Sequence, residues 1–163
     1  MMALSTKARY GSRIMLELAL QYEKGPVLLK EIAERQEISR KYAHFLINYL
    51  KGAGLVRSIR GPKGGYVLAR PPSEISMNEI VQTLEGSISP VTCVDDPHFC
   101  NRKPACATYL VWKKLKEAMS GVLDSWTLEN LVVAQGARKN ALPKKKQDGC
   151  RRYKLIKNKG NTE

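Results

Sequence analysis

Between Ser39 and Tyr66 the chain passes directly from a helix with a basic outer face into a glycine-rich hairpin, and that order constrains the fold more than any other feature. Ser39 stands where an N-cap is expected, and Ala43, Leu46, Ile47 and Leu50 recur at the spacing of one helix face. Arg40, Lys41, His44, Asn48 and Lys51 are left largely outside. Gly52-Ala-Gly54 ends this helix. Leu55 to Arg60 then reads as a short strand, Gly-Pro-Lys-Gly-Gly as its turn, and Tyr66 to Ala69 as the return strand.

The inward stripe needs partners, and the preceding residues supply two. Gly11, Ile14, Met15, Leu18, Ala19 and Tyr22 follow one helix face until Gly25-Pro26 stops it, and Leu28, Ile32 and Ala33 mark a second, short helix that breaks near Glu37-Ile38. Two short helices, a tight turn and a third helix with an outward basic face form a helix-turn-helix, whose last helix enters a DNA major groove with its N-terminal residues nearest the bases. Ser39, Arg40, Lys41 and Tyr42 are the expected readers, with His44 one turn further on. At the hairpin tip, Arg60 and Lys63 supply charge on either side of glycines such as Gly64 that let backbone approach a phosphate or a groove wall. An ordinary solvated basic helix beside an incidental glycine-rich hairpin is the simpler account of each feature alone; their consecutive order favours a DNA reader.

Charge points the same way. The formal net charge is +13, and residues 35–70 carry eight basic side chains against one acidic, so the surplus lies inside a patterned segment and not only in a tail. Such a surplus favours a polyanion partner, here double-stranded DNA. No apolar run approaches the ~20 residues that span a bilayer, and the N-terminus lacks the apolar core of a signal peptide. A cytoplasmic protein without a membrane partner is expected.

Pro71-Pro72 closes the hairpin unit, and Ser76-x-x-Glu79 resembles a capping box opening a helix that ends at Gly86. Three cysteines follow, Cys93-x6-Cys100-x5-Cys106. Thiolates are the soft ligands of iron–sulfur clusters, and three in one flexible loop can converge without a distant strand. The spacing is unlike the C-x2-C knuckles of structural zinc sites, and by itself it leaves a cluster, a zinc ion and free redox-active thiols open. His98, Asp95, Asp96 and Cys150 are candidate fourth ligands.

From about Ala107 the apolar residues Val111, Trp112, Leu115, Met119, Val122, Leu123 and Trp126 make a stripe wider than one packing face needs. A helix of roughly eighteen residues would be about 27 Å long. Such a helix is expected to join two copies into a homodimer. The tryptophans and methionines read as packing residues, not as a cofactor box. Thr127 is placed to cap a last short helix through Val133, and beyond Gly136 too little apolar surface remains to offset the entropy of ordering. The expected organisation is a winged helix-turn-helix over residues 2–70, a cysteine loop with dimerisation helices over 71–135, and a basic disordered tail over 136–163, mainly α with a small β-hairpin wing.

Leu4-Ser-Thr-Lys-Ala-Arg-Tyr10, Gly25-Pro26, Ile32-Ala-Glu-Arg-Gln36, Ile38-Ser39, Gly54-Leu-Val56, Arg60-Gly-Pro-Lys-Gly-Gly-Tyr66 and the three-cysteine loop resemble the IscR, NsrR and CymR family of bacterial winged-helix regulators, and IscR-like members most. The resemblance covers roughly residues 2–135. It implies that the third helix reads the major groove, that the wing enters the minor groove, that the long helix dimerises, and that Cys93, Cys100 and Cys106 hold an iron–sulfur cluster, of the 2Fe-2S type. It also implies a repressor of iron–sulfur cluster biogenesis genes. The chain departs from the pattern at Tyr109, where IscR-like members carry a histidine ligand, and at His44, where they carry a glutamate that influences operator choice. No paired-carboxylate motif, nucleophile motif or phosphate-binding loop supports the cross-class alternative of a small metalloenzyme or redox carrier.

Overall fold

The computed structural model describes residues 4–96 and 98–141. Ser5 starts α1 (Thr6–Leu20), its hydroxyl accepting from the Lys7 N–H at 3.0 Å. Leu28 opens α2 (Leu29–Gln36) from outside the core, because the residue stands half exposed and only Ile32 and Ala33 of that apolar set are buried. Glu37 ends α2 in the left-handed region, at φ 54°, a role more common for glycine or asparagine. Ser39 caps α3 (Arg40–Gly52) by accepting from the Tyr42 N–H at 3.1 Å.

Ala43, Leu46, Ile47 and Leu50 are fully buried, as the helical spacing requires, and the last three join Ile14, Met15 and Leu18 of α1 and Ile32 of α2 in one core. Fully burying each of the larger side chains stabilises the fold by roughly 1.5–3 kcal/mol relative to exposure. The hairpin pairs β1 (Val56–Ile59) with β2 (Gly65–Leu68) antiparallel, in a register that sets Val56 opposite Leu68 and Ile59 opposite Gly65. Its second strand is pinned to the body near the turn: Val27, between α1 and α2, exchanges backbone hydrogen bonds with Tyr66 at 3.0 and 2.9 Å.

Gly65 makes that docking possible. A Cβ placed there would lie 2.6 Å from the Val27 carbonyl oxygen and 2.8 Å from its carbon, backbone atoms that cannot swing aside. Gly65→Ala should therefore lower stability by about 1–3 kcal/mol, the usual cost of overpacking. Urea unfolding checks it, with a lowered midpoint and an unchanged slope expected.

After the single turn Pro72–Glu74, Ser76 caps α4 (Met77–Glu85) through the Glu79 N–H at 3.2 Å. The capping box is only half built, because the Glu79 carboxylate turns away to pair with Arg70. Ile80, Val81 and Leu84 bury α4 against α1 and α3, with Leu84 seated over Gly11. The hydrophobic core is thus continuous across residue 70.

Beyond Ile88 the chain leaves the core. It forms the short α5 (Thr92–Asp95), a turn at Lys103–Ala105 and the long α6 (Ala107–Asp124), which packs chiefly on α4 and α5 and buries none of its residues. The excursion is clipped shut at its base, where Met77 donates to the Trp126 carbonyl at 2.8 Å and Leu128 to that of Ile75 at 3.0 Å. α7 (Leu128–Ala141) returns to the core on α1, with Leu128 buried. It extends eight residues past Val133 and takes up the first six residues of the expected disordered tail, so that boundary is corrected to Ala141; the remainder of the tail, with Cys150, lies outside the described residues.

Candidate nucleic-acid interface and cysteine loop

α3 presents its basic side away from the core. Arg40, Lys41, His44, Asn48 and Lys51 are exposed, as are Arg60 and Lys63 at the hairpin turn. Asn48 lies 3.4 Å from the His44 Nδ1, so the two form a polar pair one turn apart on the helix. The Ser39 hydroxyl is committed to capping α3, which makes it a positioning group for the first turn.

Tyr42 is half-buried and braced against α1: its hydroxyl donates to the Thr6 hydroxyl at 3.3 Å, and its ring meets Tyr10 edge-on at 6.2 Å. Gly64 corrects the expectation of a glycine free to approach a phosphate. It is buried inside the turn, its N–H donating to the Gly61 carbonyl at 2.9 Å, and a Cβ would lie 2.3 Å from the Ile59 carbonyl oxygen. Its absent side chain serves closure of the turn, and the exposed glycine of the tip is Gly61 beside Arg60.

Sequence reasoning passed over two members of this surface. Phe45 and Tyr49 are 41% and 46% exposed on α3, next to Tyr42, and the Lys7 ammonium lies 6.0 Å from the Tyr49 ring. An apolar residue outside the core stripe was the available signal: at 100° per residue, Phe45 falls opposite the centre of the buried set.

The cysteine segment is built differently. Cys93 lies in α5, Cys100 in the loop and Cys106 at the residue before α6; all three are half-buried free thiols. Among the described residues no three His, Cys, Asp or Glu side chains converge as a metal site. Two observations bear on whether the segment fits a cluster. The donors are chemically apt, three unpaired thiols in one segment. Cys106 in particular has its pKa lowered, first by the Thr108 hydroxyl, 3.1 Å from its sulfur, and then by the Tyr109 N–H.

The fourth-ligand candidates separate clearly. Asp95 is a structural knot: it accepts from Lys116 Nζ at 2.5 Å, from the Ser89 hydroxyl at 2.5 Å and from the Ser87 hydroxyl. The Lys116 hydrogen bond, aided by those of Ser87 and Ser89, lowers its pKa to about 2. A carboxylate so occupied is a poor ligand. Asp96 accepts the His98 N–H at 2.8 Å and His98 itself is exposed, while Tyr109 lies under the Lys103 ammonium at 4.8 Å.

A second carboxylate joins this region to α1. Glu85, at the end of α4, accepts from the Ser5 N–H at 3.0 Å, the Ser5 hydroxyl at 2.5 Å and the Ala8 N–H at 3.3 Å. Burial favours its protonated form, but the Ser5 and Ala8 hydrogen bonds outweigh that and leave its pKa below the ordinary value.

Among the described residues, no helix is long and apolar enough to cross a membrane. The chain matches the Rrf2 family, described as iron-dependent transcriptional regulators, over residues 4–134. The transcriptional regulator CymR of Bacillus subtilis is 44% identical over 131 residues, which cover 80% of this chain and 90% of CymR. Its solved structure, described as that of the global cysteine regulator, superposes with a TM-score of 0.70 over 82% of this chain and 98% of that one. IscR of Serratia proteamaculans is 39% identical over 131 residues, covering 80% of this chain and 79% of IscR. The structure of IscR from T. potens is 40% identical, with a TM-score of 0.69 over 86% of this chain and 92% of that one. These relatives are regulators and not enzymes, and the hairpin beside α3 is the wing of a winged helix; the chain belongs to the Rrf2 family of transcriptional regulators.

Proposed function

We propose that the chain is a homodimeric DNA-binding repressor whose operator affinity depends on an iron–sulfur cluster, of the 2Fe-2S type, and that it controls cluster biogenesis genes. The observation that carries the DNA-binding part is the exposed basic face of α3 standing beside a wing that bears Arg60 and Lys63. Base contacts select sequence and phosphate contacts supply affinity. Lys41, outward in the first turn of α3, suits the first task, and Lys63 on the turn suits the second.

The cluster part rests on three free thiols in one segment together with the IscR-like resemblance. Cys93, Cys100 and Cys106 would hold the cluster, which when bound supplies a redox- and iron-sensitive group. Because the thiols do not converge in the described structure, the segment from Thr92 to Cys106 must draw them together on loading. The fourth position falls to His98, Asp96, Cys150 or a group outside this chain, since Asp95 is tied to Lys116.

A second reading has its own support. The 44% identity to CymR, whose solved structure is described as that of a cysteine regulator, and the unconverged free thiols favour a cluster-free thiol regulator of the same fold. Anaerobic purification and reconstitution, followed by visible absorbance and a gel shift with and without iron, separates the two.

Two substitutions test the DNA surface. Lys41→Ala should weaken a cognate site more than random DNA, by about 1–3 kcal/mol if a base contact is lost. Lys63→Ala should weaken both and reduce the salt slope by about one unit. Fluorescence anisotropy across a salt series measures both, and equal losses on cognate and random DNA for Lys41→Ala would remove α3 as the reader.

A further inference from the structure

Phe45 lies on the side of α3 turned away from its buried stripe. The buried stripe of α3 consists of Ala43, Leu46, Ile47 and Leu50, and on a helical wheel Lys41, Phe45 and Asn48 occupy the arc directly opposite. Phe45 remains 41% exposed there, beside Lys41 on the wheel. Nothing in the core holds it. Its neighbours on the helix surface do: the ring stacks on Tyr42 at 6.1 Å with planes 15° apart, and meets Tyr49 at 4.9 Å with planes 64° apart.

Tyr42 is in turn fixed by Thr6 and Tyr10 of α1. Such bracing holds the phenyl ring in place and spares part of the entropy that a free side chain loses on binding. A phenyl ring offers a base edge no hydrogen bond. The major groove contains one apolar complement for it, the 5-methyl group of thymine, and phenylalanine is among the side chains that make this contact.

We propose that Phe45 is a specificity-determining residue that reads a thymine 5-methyl group in each operator half-site. The proposal rests on the assignment of α3 as the reading helix and goes beyond it by naming both the base and the atom. Phe45 acts with the polar residues beside it: Lys41 and Asn48 can donate to base edges, and Phe45 requires a methyl next to them.

The test deletes the methyl and nothing else. The full-length protein first selects an operator from random duplexes, and each thymine of the half-site is then replaced in turn by deoxyuridine. Fluorescence anisotropy should show one position at which the change weakens wild type about fourfold in one half-site and about fifteenfold when made in both, as burial of about one methyl group implies. Phe45→Ala should bind thymine and deoxyuridine operators equally, and Phe45→Leu should retain part of the preference. Circular dichroism and binding to random DNA establish that both variants are folded; if Phe45→Ala does not fold, loss or retention of the preference in Phe45→Leu decides. Wild type that selects a site but tolerates deoxyuridine at every position would overturn the proposal while leaving α3 as reader. A preference equally strong in Phe45→Ala would overturn it too. Wild type that selects no sequence would remove the α3 assignment and the proposal together.

Discussion

Cys93→Ala, Cys100→Ala and Cys106→Ala should each give a colourless protein after anaerobic reconstitution, whereas wild type and Cys150→Ala should both be coloured. The effect is close to all-or-none because the segment offers three thiols and no fourth to replace one that is lost. Asp95 is locked to Lys116, Ser87 and Ser89, and Tyr109, packed under Lys103, lacks the nitrogen donor that IscR-like members place there. A lost thiolate therefore leaves a gap that neither Asp95 nor Tyr109 can fill. Visible absorbance together with iron and sulfide content measures the result. Wild type that is iron-free after reconstitution would discard the cluster and leave the thiol-based regulator.

The second large effect concerns α6. Glutamate at both Val111 and Val122 should convert a homodimer into monomers with near-normal helix content, and operator affinity should fall by at least a hundredfold. The two valines are 58% and 62% exposed, and their spacing of three turns sets them on one face of a helix that buries none of its residues within its own chain. Leu115 shares that face but is half-buried, so charging it would also disturb the protomer. Pairing doubles the number of base contacts, and one short reading helix alone contacts few bases. Sedimentation gives the oligomeric state and anisotropy the affinity. A wild-type monomer at micromolar concentration that binds one half-site tightly would refute the architecture.

The elements of the fold were legible because periodicity and caps agree in this chain. Ser39 and Ser76 are the N-caps their positions suggested, Gly86 ends α4, and the stripe of α3 is buried at all four expected positions. What escaped was decided by tertiary contacts. Glu79 abandons the capping box for Arg70, a partner set by the fold. α7 continues through residues without clear periodicity, carried by packing of its first turns on α1. Gly64 looked like a surface glycine because turn composition does not reveal which face of a hairpin closes inward. Phe45 was omitted from the reading face because apolar residues are ordinarily assigned to cores, although its position on the wheel was available. The cysteines could be found from spacing, but how closely they approach could not, since that depends on the path of a loop with little regular structure.

Glu85 and Asp95 give the molecule a drive train. Cys93 sits two residues from Asp95, whose carboxylate grips Ser87 and Ser89 behind α4 and Lys116 on α6. Two residues before Ser87, Glu85 holds Ser5 and Ala8 at the head of α1, the helix whose Thr6 and Tyr10 brace Tyr42 on α3. Both carboxylates have lowered pKa values, so their bonds are fully made near neutrality and loosen only as acid approaches the folded values, about 2 for Asp95. Displacement of α5 must therefore either carry the end of α4 and α6 along with it or break these bonds. The gear teeth are two carboxylates, and the shaft between them is the backbone from Glu85 through Gly86 to Ser87, where Asp95 takes hold.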